Sequence, residues 1–484
     1  MGYVLGIDLG TSRTAAAVFR NGRADIVPLS DHAATMPSMV FVRDDAGGGL
    51  LVGDAARRRG QEDPIRLARE FKRRFGDATP LVLGNARFTA EELTAVMLRH
   101  VVDFVAQREG GRPDQVVVAH PANWGEYRRE LLRREVTRAD LPPARMVSEP
   151  DAAAVHFASG ERMKVGDAVA VYDLGGGTFD AAVLRRTATG FEQIGEPKGI
   201  ERLGGVDFDE AVLAYVMSES GLDAATLTDA DTPALVRLRD DCQDAKEALS
   251  DDLEATVPVN VGSINTRVRI TRSQFEQMVR PPLRSAAQTL RTAVFDAGLQ
   301  LDQVSAVLMV GGSSRIPLAA TLVREELHLP VVFTSNPKEA VALGAARIGA
   351  GPTATAVDAP PVPPPPAVVV PHAAIVPPPP PPPISATAPI TTTRTAVPPT
   401  PTTPPKAPPM RRKWWLVAVA AVIAIGIGVG AGIAVTGNDD DTTPTTDETV
   451  VSTDETTPDA TATDEDTSPP QTDVTIAPVV TAGS

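Results

Sequence analysis

The sequence predicts an α/β fold of two similar lobes, followed by a long C-terminal part without a packed core. Three glycine-bearing motifs in the first 350 residues predict the lobes: GIDLGTS (Gly6 to Ser12), DLGGGTFD (Asp173 to Asp180) and GGSSRIP (Gly311 to Pro317). Each follows an apolar run with strand character, at Tyr3–Leu5, Ala168–Tyr172 and Val307–Val310. A strand running into a Gly-rich turn lets backbone N–H groups close around a polyphosphate, because no Cβ blocks the approach. The two Asp-Leu-Gly turns are quasi-repeats, about 165 residues apart. Paired phosphate loops on two similar halves imply a nucleotide held in a cleft between lobes. One such loop is a weak signal, since Gly-rich loops are often plain turns. Three in this order are specific.

Composition divides the 484 residues sharply. Residues 1–350 have mixed charge, periodic apolar residues and ample length to bury a core. Residues 351–410 are mostly Pro, Ala, Val and Thr, including the run Pro377–Pro383. Such a stretch cannot assemble a core and is expected to be a disordered, extended, semi-rigid linker. The single cysteine, Cys242, excludes an internal disulfide framework and reads as a small packing residue in a helical pattern. The net charge of −15 comes mostly from the end of the chain, where about a dozen Asp and Glu recur between Asp439 and Asp473. No concentrated basic face points to nucleic acid.

Between linker and tail, residues 414–436 form an apolar run without charge. About 20 helical residues cross a hydrocarbon core, so the run predicts one transmembrane helix. Arg411, Arg412 and Lys413 precede it and Asp439–Asp441 follow, so the positive-inside rule places the N-terminal part in the cytoplasm. The expected location is the cell membrane, crossed once, with residues 437–484 as a disordered Thr/Asp-rich tail outside. Two overlapping GxxxG patterns, Gly426/Gly430 and Gly428/Gly432, leave a homodimer through this helix as an open alternative.

The three loops, with LVGDAA (Leu51–Ala56), FKRRFG (Phe71–Gly76), FTAEELTAVML (Phe88–Leu98), SEPDAAAV (Ser148–Val155), LGGVDFD (Leu203–Asp209), AKEALS (Ala245–Ser250) and NPKEAVALGAA (Asn336–Ala346), carry a resemblance. Residues 1–350 closely resemble the nucleotide-binding domain of the seventy-kilodalton heat-shock (DnaK-like) chaperones, within the actin/hexokinase ATPase superfamily. The resemblance implies duplicated ribonuclease-H-like lobes and a domain that binds ATP or ADP with Mg2+, with K+ as a further candidate ion. It implies slow ATP hydrolysis used as a conformational switch.

Hydrolysis needs the phosphates fixed, a divalent cation placed and a water aimed at the γ-phosphorus. Gly10, Thr11, Ser12 and Arg13 can offer donors from one lobe, and Gly175, Gly176, Gly177 and Thr178 from the other. Asp8 and Asp173 end strands beside these loops and can act through the hydration shell of Mg2+. The resemblance adds Asp180 to that metal set and Glu149 as a ligand or water orienter. It assigns catalytic roles to Lys72, Glu149, Asp173 and Thr178, with Lys72 reaching the γ-phosphate. Arg69, Arg73 and Arg74 crowd Lys72, and a plain solvated basic face is the competing reading. On the nucleoside side the resemblance implies Gly204, Gly205, Lys246, Ser250, Gly311, Gly312, Ser313 and Arg315. Two residues depart from the family pattern: Gln243 replaces an acidic residue and Lys338 replaces the Asp of NPDEA. Pro121 and Arg145 fall where the family keeps a relay to a partner domain.

Family chaperones continue into a short hydrophobic linker and a β-rich peptide-binding domain, and neither is read in residues 349–360 or beyond. The sequence therefore predicts a membrane-anchored ATPase switch that lacks its own client domain and acts on an unidentified cytoplasmic protein partner. A non-hydrolysing scaffold whose Pro-rich spacer docks partners, and an actin-like filament former, are the alternatives.

Overall fold

The computed structural model describes residues 2–351, except 32, 45–47, 161–162 and 335. Two sheets with the same plan organise them. In the first, the order is Ala144–Ser148, Gln115–His120, Val4–Leu9, Arg13–Arg20 and Arg23–Val27, with Met36–Pro37 beside Arg13–Arg20. In the second it is Val331–Phe333, Val304–Val310, Ala168–Leu174, Phe179–Arg186 and Phe191–Ile200. Each central strand runs antiparallel to the strand that follows it and parallel to a strand far along the chain. This repeated mixed sheet is consistent with the two lobes of an actin-like ATPase domain. The central strand of the second half, AVAVYDL, is buried at every position, as expected for a strand covered on both faces.

Because the two central strands are equivalent, their last polar residues, Asp8 and Asp173, occupy equivalent places at the strand ends. Register puts Asp173 opposite Asp180 on the neighbouring strand and opposite Val310 on the parallel one. The three Gly-bearing loops thus leave the ends of Val4–Leu9, Ala168–Leu174 and Val304–Val310. Those ends are where open α/β sheets present ligands.

Helices cover the sheets, and their ends follow local chemistry. Ala90–Glu109 starts with a reciprocal capping box between Thr89 and Glu92 and stops at Gly110 in the left-handed region. Glu149–Ala158 starts at Ser148, whose hydroxyl accepts the Asp151 N–H at 3.1 Å. Ala340–Gly349 crosses this helix so closely that a Cβ at Gly344 would lie 1.7 Å from the Ala152 carbonyl oxygen. The small residues of NPKEAVALGAA are therefore demanded by packing as well as by any ligand.

Each half carries an added segment. In the first it is the small sheet Leu50–Val52, Met39–Val42 and Leu67–Arg69 with helix Asp54–Glu62. In the second it is helix Thr232–Ala248 with hairpin Glu254–Val261 and Ile264–Thr271. The two segments meet: Gln61 Nε2 donates to Asp240 Oδ2 at 2.8 Å, and Arg69 pairs with Asp240 at 3.5 Å. Cys242 is fully buried in the core of the second half, and burial, followed by the Asp241 and Asp209 charges, pushes its thiol up to about 12. That suits the packing role read from sequence.

The expected C-terminal architecture is corrected. No helix among the described residues is long and apolar enough to cross a membrane. The run at 414–436 lies outside the described residues, as do the linker at 351–410 beyond Gly351 and the tail at 437–484. Membrane anchoring, the single-pass location and the helix-mediated homodimer therefore have no support in the structure and are withdrawn.

Candidate functional site

A cavity of about 340 Å3 opens between the strand ends of the two halves. Its lining includes all the residues expected from sequence at the phosphates, the metal and the nucleoside except Asp180 and Gly204. Those two sit just behind the lining, Asp180 in register with Asp173 and Gly204 at the start of helix Gly205–Ser220.

The phosphate loops touch each other. A Cβ at Gly176 would lie 2.3 Å from Ser12 Oγ, and one at Gly177 would lie 2.4 Å from Thr11 Oγ1. Glycine is needed here for close approach rather than for an unusual turn. The turn at Gly204–Gly205 docks on the same loop: Gly205 N–H donates to the Gly175 carbonyl at 3.0 Å and Val206 N–H to the Gly176 carbonyl at 2.8 Å. Ser313 Oγ closes the third side by donating to the Gly175 carbonyl at 2.9 Å. All three motifs therefore converge on Gly175–Gly177.

Below the loops lies a buried charge cluster. Lys72 Nζ donates to Glu149 Oε1 at 2.7 Å, and both side chains are about nine-tenths buried. Phe71 and Phe75 are buried on either side of Lys72 in the short helical turn Phe71–Arg74, which fixes its direction. Phe75 stacks on Trp124 at 4.6 Å, and the Lys72 ammonium lies over the Trp124 ring at 5.9 Å.

Asp8, Asp173 and Asp180 complete the cluster. Burial, then the Glu149 charge, pushes Asp8 up to about 7 against the pull of Lys72. Burial, then Glu149, also raises Asp180 to about 7, although the Thr178 hydroxyl works the other way. Asp173 stands well above the usual carboxylate range through burial and then its neighbours Glu149, Asp180 and Asp8. Burial works against the Lys72 charge, but Glu149 and Asp8 outweigh it and hold its pKa above the usual value. Four carboxylates against one ammonium, crowded at the floor of the cavity, leave negative charge uncompensated, which is costly without a further cation. Asp180 Oδ1 is buried and has no hydrogen-bond partner. These features fit a divalent cation held among the carboxylates. Among the described residues no group of three or more such side chains is arranged to hold a metal directly, and carboxylates commonly act on Mg2+ through the waters it keeps.

The basic residues around Lys72 have separate destinations. Arg73 donates from Nε and Nη2 to the Gly177 carbonyl at 3.0 and 2.8 Å, and its guanidinium also grips both carboxylate oxygens of Asp207. Asp207 in turn accepts the Gly204 N–H at 2.8 Å. One guanidinium thereby ties the Lys72 turn to both glycine turns of the other half. Arg69 goes to Asp240, and Arg74 stays near the surface with the Thr79 carbonyl and Asp77. The solvated-face reading of this run does not hold. Arg73 and Asp207 were missed from sequence, although both lie inside motifs that were recognised.

At the other end of the cavity, Lys246 pairs with Asp209 at 2.7 Å, both nearly buried, and donates to the Gly205 carbonyl at 3.2 Å. Arg315 reaches Asp251 at 3.2 Å and Lys338 reaches Glu247 at 3.0 Å. Gln243 also lines this end. Pro121 is buried after strand Gln115–His120, while Arg145 is exposed.

Residues 4–81 and 78–355 match the protein family described as Hsp70 protein. The chain is also similar to the "Chaperone protein DnaK" of Mycoplasma mobile, 30% identical over 355 residues, covering 72% of this chain and 58% of that protein. The same-named proteins of Metamycoplasma hominis and Mycoplasmopsis agalactiae are 29% and 30% identical, with 72% of this chain and 59% and 58% of theirs covered. The chain thus matches under three-fifths of the length of these curated relatives. Nothing in these likenesses supports a membrane-anchored variant without a peptide-binding domain, and that expectation is also withdrawn.

Proposed function

The chain belongs to the Hsp70 protein family, and from that premise we propose that the cavity is the site of a chaperone-related ATP switch. Family membership supports ATP binding and hydrolysis, with ATP/ADP and Mg2+ as nucleotide and metal. The observation that carries the residue assignment is the meeting of two equivalent glycine loops over a buried Lys72–Glu149 pair.

In this reading Gly10, Thr11, Ser12 and Arg13 face the β- and γ-phosphates from one half, and Gly175–Thr178 face them from the other. Gly204, Gly205, Lys246, Ser250, Gly311, Gly312, Ser313 and Arg315 hold the nucleoside end. Asp8, Asp173 and Asp180 would hold the hydrated cation, which when bound neutralises charge on the phosphates. Lys72 presents a fixed ammonium where negative charge grows in the transition state, and Glu149 keeps that ammonium in place. Thr178 and Glu149 orient the attacking water, and Asp173 acts beside them through the water shell of the cation. The loops supply backbone donors that need no rearrangement as the phosphoryl group transfers.

The test is equilibrium binding and single-turnover hydrolysis by the full chain. One Mg·ATP is expected per chain, with phosphate release that stops on removal of Mg2+. Glu149→Gln should keep binding and lose most turnover, by about a hundredfold. Turnover at the parental rate in that variant would remove Glu149 from the mechanism.

A further inference from the structure

Lys338 stands in the turn 336–339, just beyond strand Val331–Phe333, and this turn is held firmly. Gly311 N–H donates to the Pro337 carbonyl at 3.3 Å, and Asn336 Nδ2 donates to Glu339 Oε2 at 2.8 Å. From there the Lys338 stem runs over Gly312, where a Cβ would meet its Cε at 3.0 Å. The ammonium then bridges to Glu247 Oε2 at 3.0 Å on helix Thr232–Ala248. Both residues line the cavity at its nucleoside end. The pair thus joins the Gly311–Gly312 turn to a helix of the added segment, across the mouth of the cavity. The two side chains are 31% and 41% exposed, so water reaches the pair and can replace it.

Glu247 is held below the usual carboxylate range: burial opposes this, but Lys338, then Lys246 and Arg13, outweigh it. Of these cations Lys338 is the one hydrogen-bonded to it. The Lys72–Glu149 pair is built at the opposite end, from other elements. Breaking the Lys338–Glu247 bridge therefore loosens the mouth before it reaches the phosphate cluster.

We propose that the Lys338–Glu247 ion pair is a latch across the nucleoside end of the cavity that slows release of bound nucleotide. This deepens the nucleotide-site reading and rests on it. A lysine at this position, where the family pattern has Asp, makes the latch this chain's own device. Because the pair is partly exposed, its contribution is modest and salt-sensitive.

The experiment loads the full chain with radiolabelled ADP and Mg2+, chases with excess unlabelled ATP, and follows retained label at low and high choline chloride. Lys338→Ala and Glu247→Gln should each speed release about three- to fivefold at low salt. High salt should speed release from the parent and leave both single variants nearly unchanged. The reversed pair, Lys338→Glu with Glu247→Lys, should return release towards the parental rate. Parental release rates in both single variants, or no rescue by the reversed pair, would overturn the latch alone. Failure of the parent chain to retain any ADP would overturn the nucleotide-site reading and the latch with it.

Discussion

At the phosphate end of the cavity Lys72 and Glu149 pair at 2.7 Å with 11% and 10% of their side chains exposed, whereas at the nucleoside end Arg315 and Asp251 pair at 3.2 Å with 48% and 73% exposed. The chemical types are the same and the surroundings are not. In the buried pair water cannot take over a lost contact, so removing one partner leaves a charge stranded. In the exposed pair water substitutes readily, and such pairs contribute about 0–1 kcal/mol. The carboxylates follow the same division. Asp8 and Asp180 rise to about 7 through burial, while Glu247 at the mouth is drawn downward by its cations. One end is thus built to hold charges and a single water in fixed places, and the other for contacts that form and break.

The largest expected effect comes from separating the two loops. Gly177→Val would place its side chain on Thr11 and force the halves apart. It should abolish measurable Mg·ATP binding by calorimetry while leaving the far-ultraviolet circular dichroism spectrum intact. Retained binding would show that loop contact is not what forms the site. Next is Arg73→Ala, which removes the tie between the Lys72 turn, Gly177 and Asp207. Misplacement of this kind should lower single-turnover hydrolysis by about a hundredfold, with a smaller change in nucleotide affinity. Arg73→Lys keeps the charge but lacks the fork, so it should restore only part of the rate.

A third test sharpens the contrast through stability. His156 lies on the helix that begins with Glu149, and its Nδ1 is buried without a partner. Burial, then the Arg347 charge, pushes its pKa down to about 4. The folded state thus favours neutral imidazole, and the unfolded chain protonates near 6.5. Stability is full above that value, falls as pH drops towards 4, and by then has lost about 3 kcal/mol. Urea unfolding midpoints at neutral and acidic pH should show this slope, and His156→Gln should flatten it. At the exposed end, Asp251→Asn should change nucleotide affinity less than about threefold. A tenfold loss there would break the contrast between the two ends.

Much of the buried end was legible in the sequence because it is written in local strings. Asp8 and Asp173 follow apolar strands and precede glycines, and that context is short enough to read from the chain. The bilobed plan followed from the same repetition. Arg73 and Asp207 were not legible as a pair, because they lie 134 residues apart and nothing local says which of four neighbouring basic residues turns inward. Burial of Phe71 and Phe75 decides it, and burial belongs to the tertiary fold. Asp209 escaped notice for a similar reason, since only the folded chain brings it to Lys246. Gly344 was read only as part of a block that carries the resemblance, and its close approach to Ala152 assigns it a packing role. The apolar run at 414–436 shows a different limit, since hydropathy raised an expectation that no described helix supports.

The central claim is that Lys72, fixed by Glu149 beneath the two glycine loops, acts on the transition state rather than on ground-state binding. Lys72→Ala separates these directly, with Mg·ATP affinity and single-turnover hydrolysis measured on the same full-length preparation. The expected result is affinity within a few-fold of the parent and hydrolysis lowered by about a hundred- to a thousandfold. Parental hydrolysis, or a loss of rate fully explained by lost affinity, would contradict the assignment.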